Sequence, residues 1–159
     1  MADDEKETFT KIVIDLPDAE DGVGGEGVWT VALGDDLYEV RNSPWHTLEV
    51  NFLDVVRAVA PSEDRHPVFA EVYRRGGHRS IHIVFLSKED GVKREVLDGV
   101  GKLGANYENA NGVLYAIDLS PNVSFDAVAD FLEDWQERGI LEQRYAAQPQ
   151  PLGTGDRVQ

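Results

Sequence analysis

From Ser124 to Gly139, apolar and acidic residues recur with the period of an α-helix and divide its surface in two. Phe125, Val128, Ala129, Phe131, Leu132 and Trp135 share one side, which must face a core. Asp126, Asp130, Glu133, Asp134 and Glu137 fall within an arc of about 100° on the other side. Ser124 is a suitable N-cap, and Gly139 suits the position just past the C-terminus. A second one-sided helix is predicted from Ser87, which forms a capping box with Asp90, to Leu103. Val92, Val96, Val100 and Leu103 make its apolar stripe, and Gly104 stops it.

Elsewhere the pattern shortens to the alternation of strands. Lys11–Leu16 places Ile12 and Ile14 on one face and Val13 on the other. Pro17–Gly27 reads as an acidic, turn-rich connector. Val28–Leu33 and Leu37–Arg41 form a hairpin around Gly34-Asp35-Asp36, and two more β-type runs cover Asp54–Ala60 and Pro67–Arg74. After these come Ser80–Leu86, the first helix, a hairpin of Ala105–Glu108 with Val113–Leu119 through Asn109-Ala110-Asn111-Gly112, the acidic helix, and Ile140–Ala146. The expected fold is α+β. A bent antiparallel β-subdomain, forming a partial barrel, spans residues 11–79, and a ferredoxin-like β-α-β-β-α-β subdomain spans 80–146. Residues 1–10 and 147–159 read as flexible ends.

Charge narrows the choice of partner. The chain carries 30 acidic and 15 basic residues, for a formal charge of −15. Long-range repulsion makes nucleic acid and anionic membranes poor partners. There is no cysteine, so disulfides, thiolate catalysis and thiolate-bound metals are excluded. Met1–Glu7 is acidic where a signal peptide would be basic and then apolar, and no apolar run reaches membrane-spanning length. The expected location is the cytoplasm.

Chemical motifs are few. Gly99-Val100-Gly101-Lys102-Leu103-Gly104 spells a dinucleotide-binding string but closes a helix instead of opening one, where the dipole repels phosphate. His46, His66, His78 and His82 form no ligand set, and His78 and His82 stand about 13 Å apart if strand-borne. No nucleophile elbow is present. No catalytic residue, metal or cofactor is therefore assigned. Two clusters remain. Trp29, Tyr38, Asn42, Trp45 and His46, joined by His78 and Arg79, form a candidate pocket, with core anchoring by the tryptophans and a turn-holding Asn42 as the alternative. Arg74–Ser80 is the dense basic patch, able to hold an anion or to pair with the chain's own acids, and the second role fits the overall charge better.

Gly25-Glu26-Gly27-Val28-Trp29, Leu33-Gly34, Tyr38, Asn42-Ser43-Pro44-Trp45 and Asp54-Val55-Val56-Arg57-Ala58 resemble a bacterial family, the domain of unknown function 4265. Gly77–Ile81 and the stretch from Leu103-Gly104 through Ala116-Ile117-Asp118 extend the likeness over residues 11–146. Leu53 stands where the family pattern usually has glycine, so the turn before Asp54 is expected to differ. The family has no established activity to imply.

The functional expectation is a non-enzymatic binding protein. Its acidic ridge, Asp126, Asp130, Glu133, Asp134 and Glu137, would dock a basic protein, as an immunity or antitoxin-type inhibitor docks a toxin. The alternative is a metabolite-sensing domain resembling amino-acid-binding ACT domains, with the effector near Gly91 at a strand-to-helix junction. The sequence gives no reading of oligomeric state.

Overall fold

The computed structural model describes residues 8–16 and 25–146. The expected flexible tail and most of the expected flexible N-terminus and acidic connector lie outside them. The fold is mixed α+β with two sheets and two helices, and the chain divides into two compact units between Gly76 and Gly77.

In the first unit, β1 (Phe9–Asp15), β2 (Gly25–Gly34), β3 (Leu37–Val40), β4 (Val55–Val59) and β5 (Val68–Arg74) form a closed barrel in that order. The barrel is closed and not partial because β1 also pairs with β5, in parallel, at Val13 and Val68, and Val13 N donates to Pro67 O at 2.9 Å. Closure removes the sheet edges. Ile12, Ile14, Val28, Val40, Val50, Val56 and Ala58 fill the interior.

Two expectations for this unit are corrected. Phe9 and Thr10 belong to β1, opposite Val31 and Thr30, and the Thr30 hydroxyl donates to Thr10 O at 2.7 Å. Gly25 and Gly27 are strand residues and not a turn, because side chains of β1 lie across them. A Cβ on Gly27 would stand 2.3 Å from Lys11 Cε, and one on Gly25 would stand 2.9 Å from Val13 Cγ1. The β2–β3 turn is as expected, with Asp35 and Asp36 at φ 58° and 64°, the left-handed pair of a tight hairpin.

The second unit runs β6 (Arg79–Phe85), α1 (Asp90–Lys102), β7 (Asn106–Asn109), β8 (Leu114–Leu119), α2 (Phe125–Glu137) and β9 (Leu141–Arg144). Its sheet order is β7-β8-β6-β9, and all neighbours are antiparallel. Ile81, Ile83, Phe85, Tyr115, Ile117 and Leu119 on one face pack with Val96, Leu97 and Val100 of α1 and with Val128, Ala129, Leu132 and Trp135 of α2. A Cβ on Gly99 would fall 2.2 Å from the Phe131 ring, so this glycine admits the close approach of the two helices.

The helix limits differ in quality. Ser124 caps α2 by accepting from Ala127 N at 3.1 Å, and Gly139 follows at φ 79°. At α1 the expected capping box is absent, since the Ser87 hydroxyl accepts from Glu89 N and Glu89 itself is the N-cap without a side-chain bond. The α1 stripe buries Leu97 in place of Leu103. Leu103 is the C-cap, beyond the last helical turn, and is 38% exposed.

Val96 and Leu132 are fully buried on the two helices. Val96→Asp and Leu132→Asp are each expected to lower unfolding free energy by about 3 kcal/mol or more, through an unpaired charge in the core. Asp130→Asn, on the solvated side, serves as the neutral control. Denaturant melts of the three variants check this, and a near-wild-type midpoint for either core variant would contradict the packing described.

Candidate functional site

The five ridge carboxylates Asp126, Asp130, Glu133, Asp134 and Glu137 all lie exposed on α2, opposite the side that packs on the sheet. Among the described residues, Asp134 forms an ion pair with Arg138 one turn along. The Arg138 guanidinium in turn covers the Trp135 ring at 4.4 Å. Arg79 stacks on Phe125 at 3.6 Å, and Phe125 meets Tyr145 edge-on at 4.9 Å. Burial draws the Arg79 guanidinium below its ordinary value, while the charges of Asp126 and Tyr145 work in the opposite direction. The ridge therefore presents a run of solvated carboxylates, with Arg79 near Asp126, Arg138 paired to Asp134 and Arg144 sharing a shallow groove with Glu133.

The candidate pocket residues fall in both units. Trp29, Tyr38, Asn42, Trp45 and His46 belong to the first, and His78 and Arg79 to the second. In the first unit the sequence alternates Glu26, Val28 and Thr30 into the barrel and Trp29 outward, where it is 52% exposed and not a core anchor. Asn42 does hold the turn, accepting from Trp29 N through Oδ1 at 2.7 Å. His46 is exposed, and Trp45 is half-buried.

Trp29 stands on β2 and Tyr38 on β3, and two buried carboxylates organise the loop after β3 that carries Asn42, Trp45 and His46. Glu26, 6% exposed, accepts from three successive backbone N–H groups, those of Trp45, His46 and Thr47. Asp54, fully buried, accepts from Asn51 N at 2.8 Å, Gly76 N at 2.9 Å and Arg75 Nη1 at 2.9 Å. Burial pushes the Asp54 carboxyl above the ordinary range, and the Gly76 and Asn51 amides and Arg75 hold it back. Arg75 of the basic patch is thus paired within its own unit. The loop's own backbone amides, which would otherwise form a concave anion site, are filled by the chain's own side chain.

In the second unit, the sheet face turned away from the helices carries His78, Ser80, His82 and Asp118. Both Asp118 oxygens lie within hydrogen-bond distance of His78 Nδ1, at 2.8 and 2.9 Å. Burial pushes the Asp118 carboxyl up from its ordinary value, and His78 opposes the shift. Ser80 stands directly across the ladder from Asp118, but its buried hydroxyl bonds to no described residue, so serine, histidine and aspartate form no hydrogen-bonded relay. No group of three or more histidine or acidic residues with metal-binding geometry occurs among the described residues. No helix among them is long and apolar enough to cross a membrane.

Sequence reasoning missed Glu26 and Asp118 and gave Asp54 no role. Each shares the period-two register of buried strand neighbours, Glu26 with Val28 and Thr30, and Asp118 with Ala116. An acid sharing its strand register with buried neighbours is the signal that exposes such residues.

Leu53 adopts φ 70°, so the turn keeps the left-handed backbone that glycine would take freely. Its amide donates to Val40 O at 2.8 Å, and a Cβ on Gly76 would meet its carbonyl oxygen at 2.2 Å, which locks the position. Left-handed backbone costs an L-residue about 1–2 kcal/mol. Leu53→Gly is expected to leave stability unchanged or raise it by up to about 1 kcal/mol, with strain relief set against lost burial and a freer unfolded chain. Leu53→Val, with a β-branched side chain, should lose about 1 kcal/mol or more. Paired denaturant melts decide, and a larger loss for glycine than for valine would contradict the strain.

Comparison with known proteins adds fold and family. A solved structure described as a hypothetical protein from Neisseria gonorrhoeae is 17% identical, with a TM-score of 0.75 over 89% of this chain and 96% of that one. At that identity the likeness is one of fold. No curated protein matches the chain. The family model described as Domain of unknown function (DUF4265) matches residues 26–143, and the chain belongs to that family.

Proposed function

We propose that the protein is a non-enzymatic binding protein whose α2 ridge docks a basic protein partner, in the manner of an immunity or antitoxin-type inhibitor. The observation that carries this reading is the exposure of Asp126, Asp130, Glu133, Asp134 and Glu137 along one helix. They extend over about 16 Å at 1.5 Å per residue, enough to face several basic side chains. A chain of charge −15 adds a long-range field of the same sign. Steering by such a field raises association rates toward a cationic partner and falls off with salt. The second unit is read as ferredoxin-like. Its spatial order β7-β8-β6-β9 and its two helices on one face support that reading. In that arrangement the sheet and α1 hold α2 rigidly from behind, so docking requires little reordering.

Replacing Asp130, Glu133 and Glu137 together with Lys is expected to leave the melting temperature near wild type, since exposed charges contribute little to folding. The same triple variant should lose the partner captured by wild type from the native host. Association of wild type with that partner should slow steeply between low and physiological salt, as the screening length falls to about 8 Å. Equal recovery of the same partner by both proteins, at rates insensitive to salt, would reduce the ridge to a solvated face.

A further inference from the structure

We propose that the cleft between α1 and the β7–β8 hairpin is a binding site for a free α-amino acid with an apolar side chain, taken up as the zwitterion. The cleft measures about 330 Å³ and is lined by Asp90, Lys93, Arg94, Leu97 and Asp98 of α1, with Tyr107 and Tyr115 from the two strands and Gly112 at the hairpin tip. That volume lies at the small end of ligand sites, about 300–1,000 Å³.

Its walls are fixed before any ligand arrives. Lys93 Nζ donates to Gly112 O at 3.0 Å and ties the helix to the hairpin tip, with the ammonium 5.7 Å from the centre of the Phe85 ring. The tip is set by its own asparagines: Asn109 Oδ1 accepts from Gly112 N, and Asn111 Oδ1 accepts from Val113 N and Leu114 N. Tyr115 is held edge-on by Phe85 at 5.4 Å and by Tyr107 at 5.9 Å.

Two observations point to a ligand. Tyr115 is 8% exposed, yet its hydroxyl has no hydrogen-bond partner among the described residues, although it lines the cleft. The ring is held in the core while the hydroxyl stays open to the cleft, a fixed donor and acceptor ready for a ligand atom. Arg94 stands one helical turn from Asp90 and one from Asp98, the spacing of helix ion pairs, yet among the described residues none of the three has an ion-pair partner. Their charged groups remain available at the cleft.

The charge pattern selects the ligand class. Lys93 and Arg94 balance Asp90 and Asp98, so a net anion would face two carboxylates and a net cation two bases. A zwitterion satisfies both signs. Its carboxylate pairs with the uncommitted Arg94 fork, and its ammonium pairs with an Asp carboxylate. Its apolar side chain lies against Leu97 and the half-exposed Tyr107 ring, and the Tyr115 hydroxyl reaches its polar end. Gly91, where an effector was expected, lines an adjoining groove of about 500 Å³ between α1 and α2 that shares Arg94 and Asp98 with the cleft but none of its tyrosines. None of the five ridge carboxylates lines the amino-acid cleft, so this proposal stands apart from the docking surface.

The test is calorimetric titration of the full chain with each of the twenty free amino acids, with acetate and methylamine as the single-charge probes. At least one apolar or aromatic amino acid is expected to bind with Kd below about 1 mM. Neither single-charge probe should bind comparably. Arg94→Met should weaken binding by about tenfold or more, and Tyr115→Phe by a smaller factor, with the ligand-free melting temperature unchanged. On the wild type, amide chemical-shift changes should concentrate at residues 90–98 and 107–115, which keeps the proposal testable if a variant misfolds. Absence of binding by every amino acid, equal binding of a single-charge probe, undiminished binding by both folded variants, or shift changes centred elsewhere would each overturn it.

Discussion

The apolar face of the four-stranded sheet must be kept from water, and within the second unit α1 and α2 provide that cover. This single requirement orients both helices. It turns Val96, Leu97 and Val100 of one, and Val128, Ala129, Leu132 and Trp135 of the other, onto Ile81, Ile83, Ile117 and Leu119. With the inward side committed, the opposite side of α2 has no structural duty and carries the acids. The close approach of the helices depends on Gly99, whose missing side chain makes room for the Phe131 ring. The same placement of α1 against the β7–β8 hairpin, tied by Lys93 to Gly112, creates the cleft beside Tyr115. Core packing, the exposed acidic ridge and the cleft are consequences of one layer arrangement.

The first unit solves a different problem. The stretch between β3 and β4 lacks a continuous ladder, so its amides need other acceptors. Glu26 supplies two oxygens to Trp45, His46 and Thr47, and Asp54 supplies two to Asn51 and Gly76 while pairing with Arg75. Carboxylates are suited to this because each is acceptor-only and strengthens bonds from neutral donors. These bonds account for much of the stretch that resembles the family, from Gly25-Glu26-Gly27 through Asn42-Ser43-Pro44-Trp45 to Asp54. In this unit those residues act as braces for a loop that carries the exposed His46, while the exposed Trp29 stands on β2 and is tied to the loop through Asn42.

What was legible in the sequence followed the range of the interactions. The limits of α2 were readable because Ser124 and Gly139 act within a turn of themselves, and the hairpin turns at Asp35-Asp36 and Asn109–Gly112 were readable for the same reason. The start of α1 was misread because the Ser87 hydroxyl has a nearer donor in Glu89 N than the capping box requires. Gly25 and Gly27 look like turn glycines in isolation. They are strand glycines because Lys11 and Val13 on the neighbouring strand occupy the space above them. Barrel closure rests on one parallel contact between Val13 and Val68, far apart in the chain, and no local pattern announces it. Of the candidate site, the ridge was visible as a helical periodicity. The Asp118–His78 contact and the cleft at Tyr115 arise from strand pairing and were not visible in the periodicity.

The account rests most heavily on α2 as a surface that meets a basic protein. Photo-crosslinking in the native host, from a photoreactive residue placed at position 133 and compared with one at the exposed Val59 of the barrel, tests that claim at the residue itself. The ridge position should give a discrete adduct with a basic protein, diminished when Asp130 and Glu137 are changed to Lys, while Val59 gives none with that protein. No adduct from position 133, or an adduct with an acidic protein that survives the charge reversal, would contradict it.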